Sequence, residues 1–177
     1  MPEDFADIVR EHQAMVFRTL TRMLGPTDAI PDLAQEVFLR LHRALPQFGH
    51  RARLSTYIYR IVVNVAQDEW KRRRRPEYRA ASLSDPDTGW DDRLADHAPT
   101  AQAVLERREL QAAVDTLLEQ LPPAERAALV LFHQEGRRYE EIAAVFDVPV
   151  NTVRTHLHRG RGRLARLLRE RLGRDDV

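Results

Sequence analysis

The stretch Tyr139–Arg171, YEEIAAVFDVPVNTVRTHLHRGRGRLARLLRER, contains two helical patterns separated by a tight turn. Its first part predicts a short helix up to Phe146, with acidic residues in the first turn, where the helix dipole favours negative charge. The segment Asp147–Pro149 ends that helix, and either Asn151 or Thr152 can cap a second one. A short helix, a turn and a longer helix form the helix-turn-helix arrangement, whose second helix enters the major groove of DNA.

The second helix of this stretch has an apolar face and an opposite face of basic and hydroxyl residues. At ~100° per residue, the apolar face contains Val153, Leu157, Gly160, Leu164, Leu167 and Leu168. Arginine bonds guanine through two hydrogen bonds, while threonine and asparagine read other base edges. A solvated basic face on an ordinary bundle helix remains the alternative. The residues predicted to contact DNA are Asn151, Thr152, Arg154, Thr155, His158 and Arg159.

Length and composition restrict the possible classes of protein. A chain of 177 residues fits one domain or two small ones. Because there is no cysteine, disulfides, cysteine-ligated zinc and thiol nucleophiles are excluded. The N-terminus lacks a basic region followed by an apolar run, and no window approaches ~18 consecutive apolar residues. We therefore expect a soluble, cytoplasmic protein with no membrane insertion.

The net charge of +1 conceals a strong segregation of charge along the chain. Residues 51–75 carry eight basic and two acidic residues, and residues 151–171 carry seven basic and one acidic residue. Between them, residues 76–100 carry two basic and six acidic residues. Two basic segments on either side of an acidic one predict two separate contacts with a polyanion, because lysine and arginine supply most non-specific affinity for nucleic acid.

Apolar residues at three- and four-residue spacing predict three helices in the N-terminal part of the chain. The first helix ends at Gly25-Pro26. The second has Thr27 or Asp28 as a candidate cap and a proline in its first turn, where proline is tolerated. Ser55 is predicted to cap the third helix, which ends in the cationic run 71–75.

The third helix has a core face, a polar face and a strip of Tyr59, Val63, Ala66 and Trp70 that we expect to pack on a neighbouring helix. Its polar face combines cations with hydrogen-bonding groups, a chemistry that suits single-stranded nucleic acid. Tyr57 either stacks on a base or is half-buried, and the second interpretation is favoured. The candidate residues of this face and its flanks are Arg53, Thr56, Tyr57, Arg60, Asn64, Lys71 and Arg72.

Residues 76–100 are rich in Pro, Asp and Ser and have no helical period, so they predict a linker. Trp90 within it is expected to dock either on a partner or on the folded domains. Two further helices follow, one over about residues 101–120 and one from Pro122-Pro123 to Gly136. The predicted fold is all-α, with two small helical domains joined by a flexible acidic linker.

Three stretches together resemble one family. They are DLAQEVFLRLHRAL (Asp32–Leu45), ARLSTYIYRIVVNVAQDEWKRRRR (Ala52–Arg75) and LEQLPPAERAALVLFHQEGRRYEEIAAVFDVPVNTVRTHLHRGRGRL (Leu118–Leu164). Their order and spacing resemble those of bacterial extracytoplasmic-function sigma factors, the smallest promoter-recognition subunits of RNA polymerase. The likeness extends over nearly the whole chain and is far more specific than a helix-turn-helix alone.

The resemblance implies a division of labour along the chain. Residues 1–75 would form sigma region 2, which binds core polymerase and recognises and melts the minus-ten element, through the third-helix residues given above. Residues 76–100 would be the linker, and residues 101–177 would form sigma region 4, whose recognition helix reads the minus-thirty-five element. The implied partners are core RNA polymerase, promoter DNA and an anti-sigma factor. The implied polymerase-binding residues are Asp32, Gln35, Glu36, Phe38 and Leu39.

Several positions depart from the family pattern. Asp147 and Asn151 stand where glycine is frequent, but both residue types tolerate a left-handed turn. His156 stands where arginine is frequent in the family, so whether this position contacts DNA is left open. Gly160 and Gly162 inside the recognition helix each cost up to ~1 kcal/mol relative to alanine. Because the two domains are expected to lack a fixed orientation, the isolated protein should bind promoter DNA weakly.

Other classes of protein remain as alternatives. A helix-turn-helix regulator that is not a polymerase subunit would need a ligand pocket or a phosphoacceptor domain, and the basic segment 51–75 suits neither. An enzyme is disfavoured because no HExxH pair, glycine-rich phosphate loop or Gly-x-Ser-x-Gly elbow occurs. We therefore expect no catalytic residue, no metal and no cofactor. A helical scaffold protein is the third alternative until DNA binding is shown.

Overall fold

The computed structural model describes residues 4–48, 53–74 and 113–172, and every regular element in these ranges is a helix. The linker 76–100, its Trp90 and most of the helix expected over residues 101–120 lie outside the described residues. Within the ranges above, the helical fold class expected from the sequence is confirmed.

Three helices form the N-terminal bundle: α1 (Phe5–Leu24), α2 (Ile30–Ala44) and α3 (Leu54–Arg73). The Asp4 carboxylate caps α1 by accepting from the Ala6 N–H at 3.4 Å. Gly25 ends α1 at φ 74°, a backbone conformation that glycine adopts at no steric cost. A 3₁₀ turn, Leu45–Gln47, follows α2. The apolar stripes of the three helices meet in a core that includes Val16, Leu20, Val37, Leu41, Ile58 and Val62.

Two of the helices do not begin with the capping residues that the sequence predicts. α2 has no side-chain cap, although the Thr27 hydroxyl accepts a hydrogen bond from the Ala29 N–H at 3.4 Å. α3 begins at Leu54 with Arg53 in the cap position, so Ser55 lies inside the first turn. Leu54 packs against the core, and this burial extends the helix beyond the polar residue that the sequence pattern favoured.

The C-terminal part contains the helical residues 113–118 and three further helices. α4 (Pro123–Leu129) continues as a π-helical turn, Val130–Gln134, which is followed by Gly136 at φ 62°. α5 is Tyr139–Phe146 and α6 is Val150–Leu172. α6 therefore begins before both predicted caps, which lie inside its first turn, and it crosses both α4 and α5.

The N-terminal and C-terminal parts pack against each other along α3. In the strip predicted for a neighbouring helix, Tyr59, Val63 and Ala66 are buried, at 3%, 3% and 4% exposure, and Trp70 is half-buried against the core. Its neighbours are α5 and α4, so the buried residues of both parts form one continuous core. The expectation that the two domains have no fixed orientation is therefore wrong for the described residues, because the third strip of α3 is apolar enough to bury.

Candidate nucleic-acid interface

The α5–turn–α6 unit has the geometry of a helix-turn-helix. The Arg138 N–H donates to Glu141 Oε2 at 2.9 Å and so closes the start of α5. Asp147 ends α5 in the left-handed region, at φ 58° and ψ 47°, which confirms that aspartate sustains this turn. Asn151, by contrast, is an ordinary helical residue of α6. Buried residues hold the two helices together: Ile142, Val145, Val153 and Leu157.

The opposite face of α6 is exposed to solvent. Arg154, Thr155, His158 and Arg159 are exposed together with Asn151, while Thr152 is half-buried. Arg154 Nη1 donates to Asn151 Oδ1 at 3.2 Å, and the Thr155 hydroxyl donates to the Asn151 carbonyl at 3.0 Å. The structure thus brings all six predicted residues to the first two turns and a half of α6, where hydrogen-bond donors and acceptors lie side by side.

Arginines further along α6 contact the protein itself. Arg163 Nε lies 3.0 Å from Glu125 Oε2, and the Glu125 side chain is only 7% exposed. Arg161 Nε donates to His133 Nε2 at 3.3 Å. Burial, together with the Arg161 charge, lowers the pKa of His133. His156 packs edge-on against Phe146, with ring centroids 6.3 Å apart, so it joins α6 to α5.

The predicted face of α3 is partly open and partly occupied. Arg53, Asn64, Lys71 and Arg72 are exposed, whereas Thr56, Tyr57 and Arg60 are half-buried. Tyr57 packs on Phe48 with ring centroids 5.2 Å apart, in agreement with the half-buried interpretation. Arg60 Nη2 lies 2.9 Å from Asp147 Oδ2, so this predicted base-binding residue is engaged by the turn of the helix-turn-helix.

The cationic end of α3 is anchored by one buried carboxylate. Glu69 accepts from Arg72 at 2.7 and 3.1 Å and from Arg73 at 2.9 Å. Burial opposes ionisation of Glu69, but the two guanidinium groups outweigh it and lower its pKa. Arg72 is thus both a predicted DNA contact and part of this ion cluster.

Glu135, which the sequence analysis did not single out, lies at the centre of a second ion cluster. Its side chain is 1% exposed, and its carboxylate accepts from Arg18 Nε at 3.1 Å and Nη2 at 3.0 Å. It also accepts from Arg22 Nη1 at 2.8 Å and from the Tyr59 hydroxyl at 2.8 Å. Burial alone would raise the pKa of Glu135, yet the hydrogen bonds from Arg18 and Tyr59 lower it. Burial and the Glu135 charge raise the pKa of Tyr59.

Another charged group is buried between the two parts of the chain. Arg126 of α4 is 3% exposed, and its Nη2 donates to the Arg22 carbonyl at 3.3 Å. Burial lowers the pKa of Arg126 to about 10, against the charges of Glu119 and Asp115, which raise it. No local sequence signal marks Glu135 or Arg126, because their partners lie between 76 and 117 residues away.

The face of α2 predicted to bind polymerase has a mixed character. Asp32, Gln35 and Leu39 are exposed, and Leu39, at 45% exposure, is the single exposed large hydrophobic side chain among the described residues. Glu36 accepts from Arg40 Nε at 2.7 Å, while Phe38 packs against the core. The exposed side chains of this face are therefore polar residues around one leucine.

No group of three or more metal-ligating side chains occurs in the described ranges. The described helices also include none with the length and apolar character that a membrane crossing requires.

Two family models match the chain, Sigma-70 region 2 over residues 8–76 and Sigma-70, region 4 over residues 111–164. The chain is similar to the ECF RNA polymerase sigma factor SigW of Bacillus subtilis, with 30% identity over 94% of this chain and 89% of that protein. It is 32% identical to the RNA polymerase sigma-H factor of Pseudomonas aeruginosa, over 87% of this chain and 80% of that protein.

Solved structures share the fold at lower identity. CnrH in complex with the cytosolic domain of CnrY matches with a TM-score of 0.63 and 21% identity, over 94% of this chain and 88% of that chain. The sigma factor RpoE in complex with the anti-sigma factor NepR from Bartonella quintana matches with a TM-score of 0.68 and 17% identity, over 94% of this chain and 98% of that chain. Since relatives with at least 30% identity align along most of both chains, the protein belongs to the extracytoplasmic-function family of RNA polymerase sigma factors, which direct transcription initiation at specific promoters.

Proposed function

We propose that residues 1–75 act as the minus-ten domain, residues 76–100 as the linker and residues 101–177 as the minus-thirty-five domain of a sigma factor. The observation that supports this assignment most directly is the exposed polar face of α6 on a well-formed helix-turn-helix. A second polar face, on α3, lies in the other matched region. Each face has the side chains that its promoter element requires.

The face of α6 reads duplex DNA. Arg154 and Arg159 have the guanidinium geometry that bonds guanine or phosphate, and Thr155 and His158 contribute neighbouring hydrogen bonds. Asn151 and Thr152 lie at the start of the helix, where backbone N–H groups favour contact with a phosphate. Arg163 forms an ion pair with Glu125, so its main contribution is to the fold and not to DNA binding.

The face of α3 captures unpaired bases. Arg53, Thr56 and Asn64 offer hydrogen bonds, Tyr57 offers an aromatic ring edge, and Lys71 and Arg72 neutralise phosphates. Arg60 joins this set once its exposed ion pair with Asp147 is released.

Core polymerase binds the outward face of α2. Leu39 supplies the apolar anchor, and Asp32 and Gln35 form the polar rim, as in many protein interfaces. Glu36 is held in place by Arg40, and Phe38 fixes the helix to the core behind the surface. We further propose an anti-sigma factor as a regulatory partner, by extension from the RpoE–NepR complex. The protein acts in the cytoplasm and contributes specificity to polymerase without a catalytic group of its own.

Reconstituted transcription tests this assignment. Core polymerase is mixed with the protein and a library of promoters randomised at both elements, and the transcripts are sequenced. We expect initiation only when the protein is present, with enrichment at two separated positions. A helix-turn-helix regulator that is not a polymerase subunit would instead bind duplex DNA by itself and fail to co-purify with core polymerase, and that result would overturn the proposal.

A further inference from the structure

A cavity of about 570 Å³ lies where the ends of α1 and α3 meet the start of the C-terminal part. That volume falls within the range of small-molecule binding sites, about 300–1,000 Å³. Side chains from both matched regions line it: Leu24, Trp70, Arg73, Arg74, Glu119 and Arg126. Three guanidinium groups against one carboxylate give the lining a positive charge, so the cavity favours an anion.

Arg126 is a buried cation with few partners. It is 3% exposed, and within the described residues its side chain makes one hydrogen bond, from Nη2 to the Arg22 carbonyl at 3.3 Å. Its Nε is buried without a hydrogen-bond partner. Burial is the largest cause of its lowered pKa and the Arg73 charge acts in the same direction, whereas Asp115 and Glu119 raise the pKa through their charges alone. A buried charge is costly unless a close opposite charge compensates it, and an anion in the cavity would do so.

Arg73 and Arg74 bring further hydrogen-bond donors to the same cavity. Arg73 donates from Nε to Glu69 at 2.9 Å and from Nη1 to the Leu24 carbonyl at 3.0 Å, but its Nη2 is buried without a partner. Arg74 stacks on Trp70, with its Cζ 3.7 Å from the ring centroid. Stacking engages the face of a guanidinium group, so its N–H edge stays available to an anion. Because guanidinium groups bind phosphate oxygens through paired, charge-assisted hydrogen bonds, these donors favour a phosphate group.

We propose that this cavity is a binding site for a small phosphorylated anion, held by Arg73, Arg74 and Arg126. Three guanidinium groups less the Glu119 carboxylate give the lining a net charge of +2, which matches a phosphate dianion. Free phosphate and the phosphate group of a nucleotide share this chemistry. The site is separate from the proposed DNA-binding faces, because none of the three arginines belongs to them and Arg126 is too deeply buried to meet a duplex.

Titration of the full-length protein at constant ionic strength tests the site. Trp90→Phe leaves Trp70, which lies against Arg74, as the single tryptophan. We expect a saturable change in its fluorescence with inorganic phosphate and with adenosine monophosphate, and none with adenosine or chloride. Tighter binding of adenosine monophosphate would identify a nucleotide as the source of the phosphate group, and equal binding would identify free phosphate. A ligand that binds only the folded protein also stabilises it, so the melting temperature should rise with phosphate concentration.

Substitutions inside and outside the cavity separate this site from a general attraction of anions, with affinity measured by titration calorimetry. Arg74→Ala, at an exposed position, should weaken phosphate binding by about 10-fold or more. Arg10→Ala removes an exposed arginine of α1 and is the charge-matched control, which should leave the affinity unchanged. Glu119→Gln should strengthen binding by about 5-fold, because it removes the one negative charge of the lining. Glu140→Gln, at an exposed position of α5, is its control and should have no effect.

Arg126→Gln tests the buried cation, and circular dichroism verifies that its helices remain folded. We expect no saturable phosphate binding by the folded variant. If Arg126→Gln does not fold, the two exposed positions, Arg74 and Glu119, decide the matter. The site is refuted if phosphate leaves both the fluorescence and the melting temperature of the parent chain unchanged, or if Arg10→Ala weakens binding as much as Arg74→Ala. Weaker binding by Glu119→Gln would overturn it as well.

Discussion

Gly160 of α6 lies directly against Leu129 of α4. A Cβ atom placed on Gly160 would be 3.0 Å from Leu129 Cδ1 and 3.4 Å from Glu125 Cβ. Gly162, two residues further along the same helix, has nothing within 4 Å of the equivalent position. The two glycines therefore have different structural roles, because only Gly160 permits the close crossing of α6 over α4.

Gly160→Ala and Gly162→Ala should change stability in opposite directions. Alanine favours the helix by up to ~1 kcal/mol at either position, but overpacking at Gly160 costs about 1–3 kcal/mol because Leu129 and Glu125 are buried. Urea unfolding followed by circular dichroism measures both variants. Equal stabilisation by the two substitutions would show that α4 yields to the added methyl group.

Arg154→Ala should change which promoters are chosen, while Arg166→Ala should not. Arg154 lies on the exposed face at the start of α6, so its loss should cost ~1–3 kcal/mol at one or two minus-thirty-five positions. Arg166 lies three turns further on, 3.8 Å from Glu170, and should affect all promoters alike. Its loss should reduce the salt dependence by about one unit of slope at most. Holoenzyme binding to a randomised minus-thirty-five library at two salt concentrations separates these effects, and a reversed pattern would contradict the assignment of the face.

Asn64→Ala or Arg60→Ala should impair strand opening more than the first binding of the promoter. Asn64 is exposed on α3, where we place the contacts with unpaired bases. Permanganate reactivity of thymines in the minus-ten element reports opening, and filter binding reports the closed complex. Gln13→Ala, on the exposed side of α1, is the control. Unchanged opening rates in both variants would remove these residues from the base-binding set.

Leu39→Ala should weaken binding to core polymerase without unfolding the protein. The side chain is 45% exposed, so its removal leaves the core intact, while an apolar anchor at an interface is typically worth more than ~1 kcal/mol. Fluorescence anisotropy with labelled protein measures the dissociation constant. Val37→Ala, at a buried position of the same helix, should instead lower stability.

Stability should fall as the pH is lowered into the acid range. The Glu135 and Glu69 carboxyls both have pKa values lowered by their guanidinium partners, against the effect of burial. A carboxyl of this kind stabilises the fold above its unfolded pKa, ordinarily 4.5, and loses that contribution as the pH falls through the folded value. The groups that face Glu135 are Arg18, Arg22 and Tyr59, and the arginines stay charged throughout. Urea unfolding across a pH series should therefore show a weaker acid slope for Glu135→Gln than for Glu140→Gln.

The sequence predicted the local features of this fold well because local residues cause them. Three features follow from residues within a turn or two of each position: the apolar period of α6, the break at Asp147–Pro149 and the start of α4 at Pro123. The same periodicity predicts the two candidate DNA-binding faces, on α3 and on α6. Most of the candidate side chains on these faces are exposed, and several of them pair with residues of the same helix.

The contacts between the two halves could not be predicted in the same way. Glu135 looks like an ordinary residue at a helix end, and its partners Arg18, Arg22 and Tyr59 look like members of solvated or packed faces. Only the tertiary arrangement brings them together across 76 to 117 residues of chain. Likewise, the sequence alone marks Gly160 as a residue that destabilises helix α6, and only its contact with Leu129 explains why glycine stands there.

The outward face of α2 is exposed on the same molecule in which α5 and α4 bury one strip of α3. Asp32, Gln35 and Leu39, where we propose that polymerase binds, are accessible while α3 and α5 are packed together, so a first contact does not require the two parts of the chain to separate. If polymerase binding also separates α3 from α5, assembly would proceed in two stages, a collision whose rate rises with polymerase concentration and a rearrangement whose rate does not. At high polymerase concentration the observed rate of holoenzyme formation should level off, and the plateau would give the intrinsic speed at which α3 and α5 come apart.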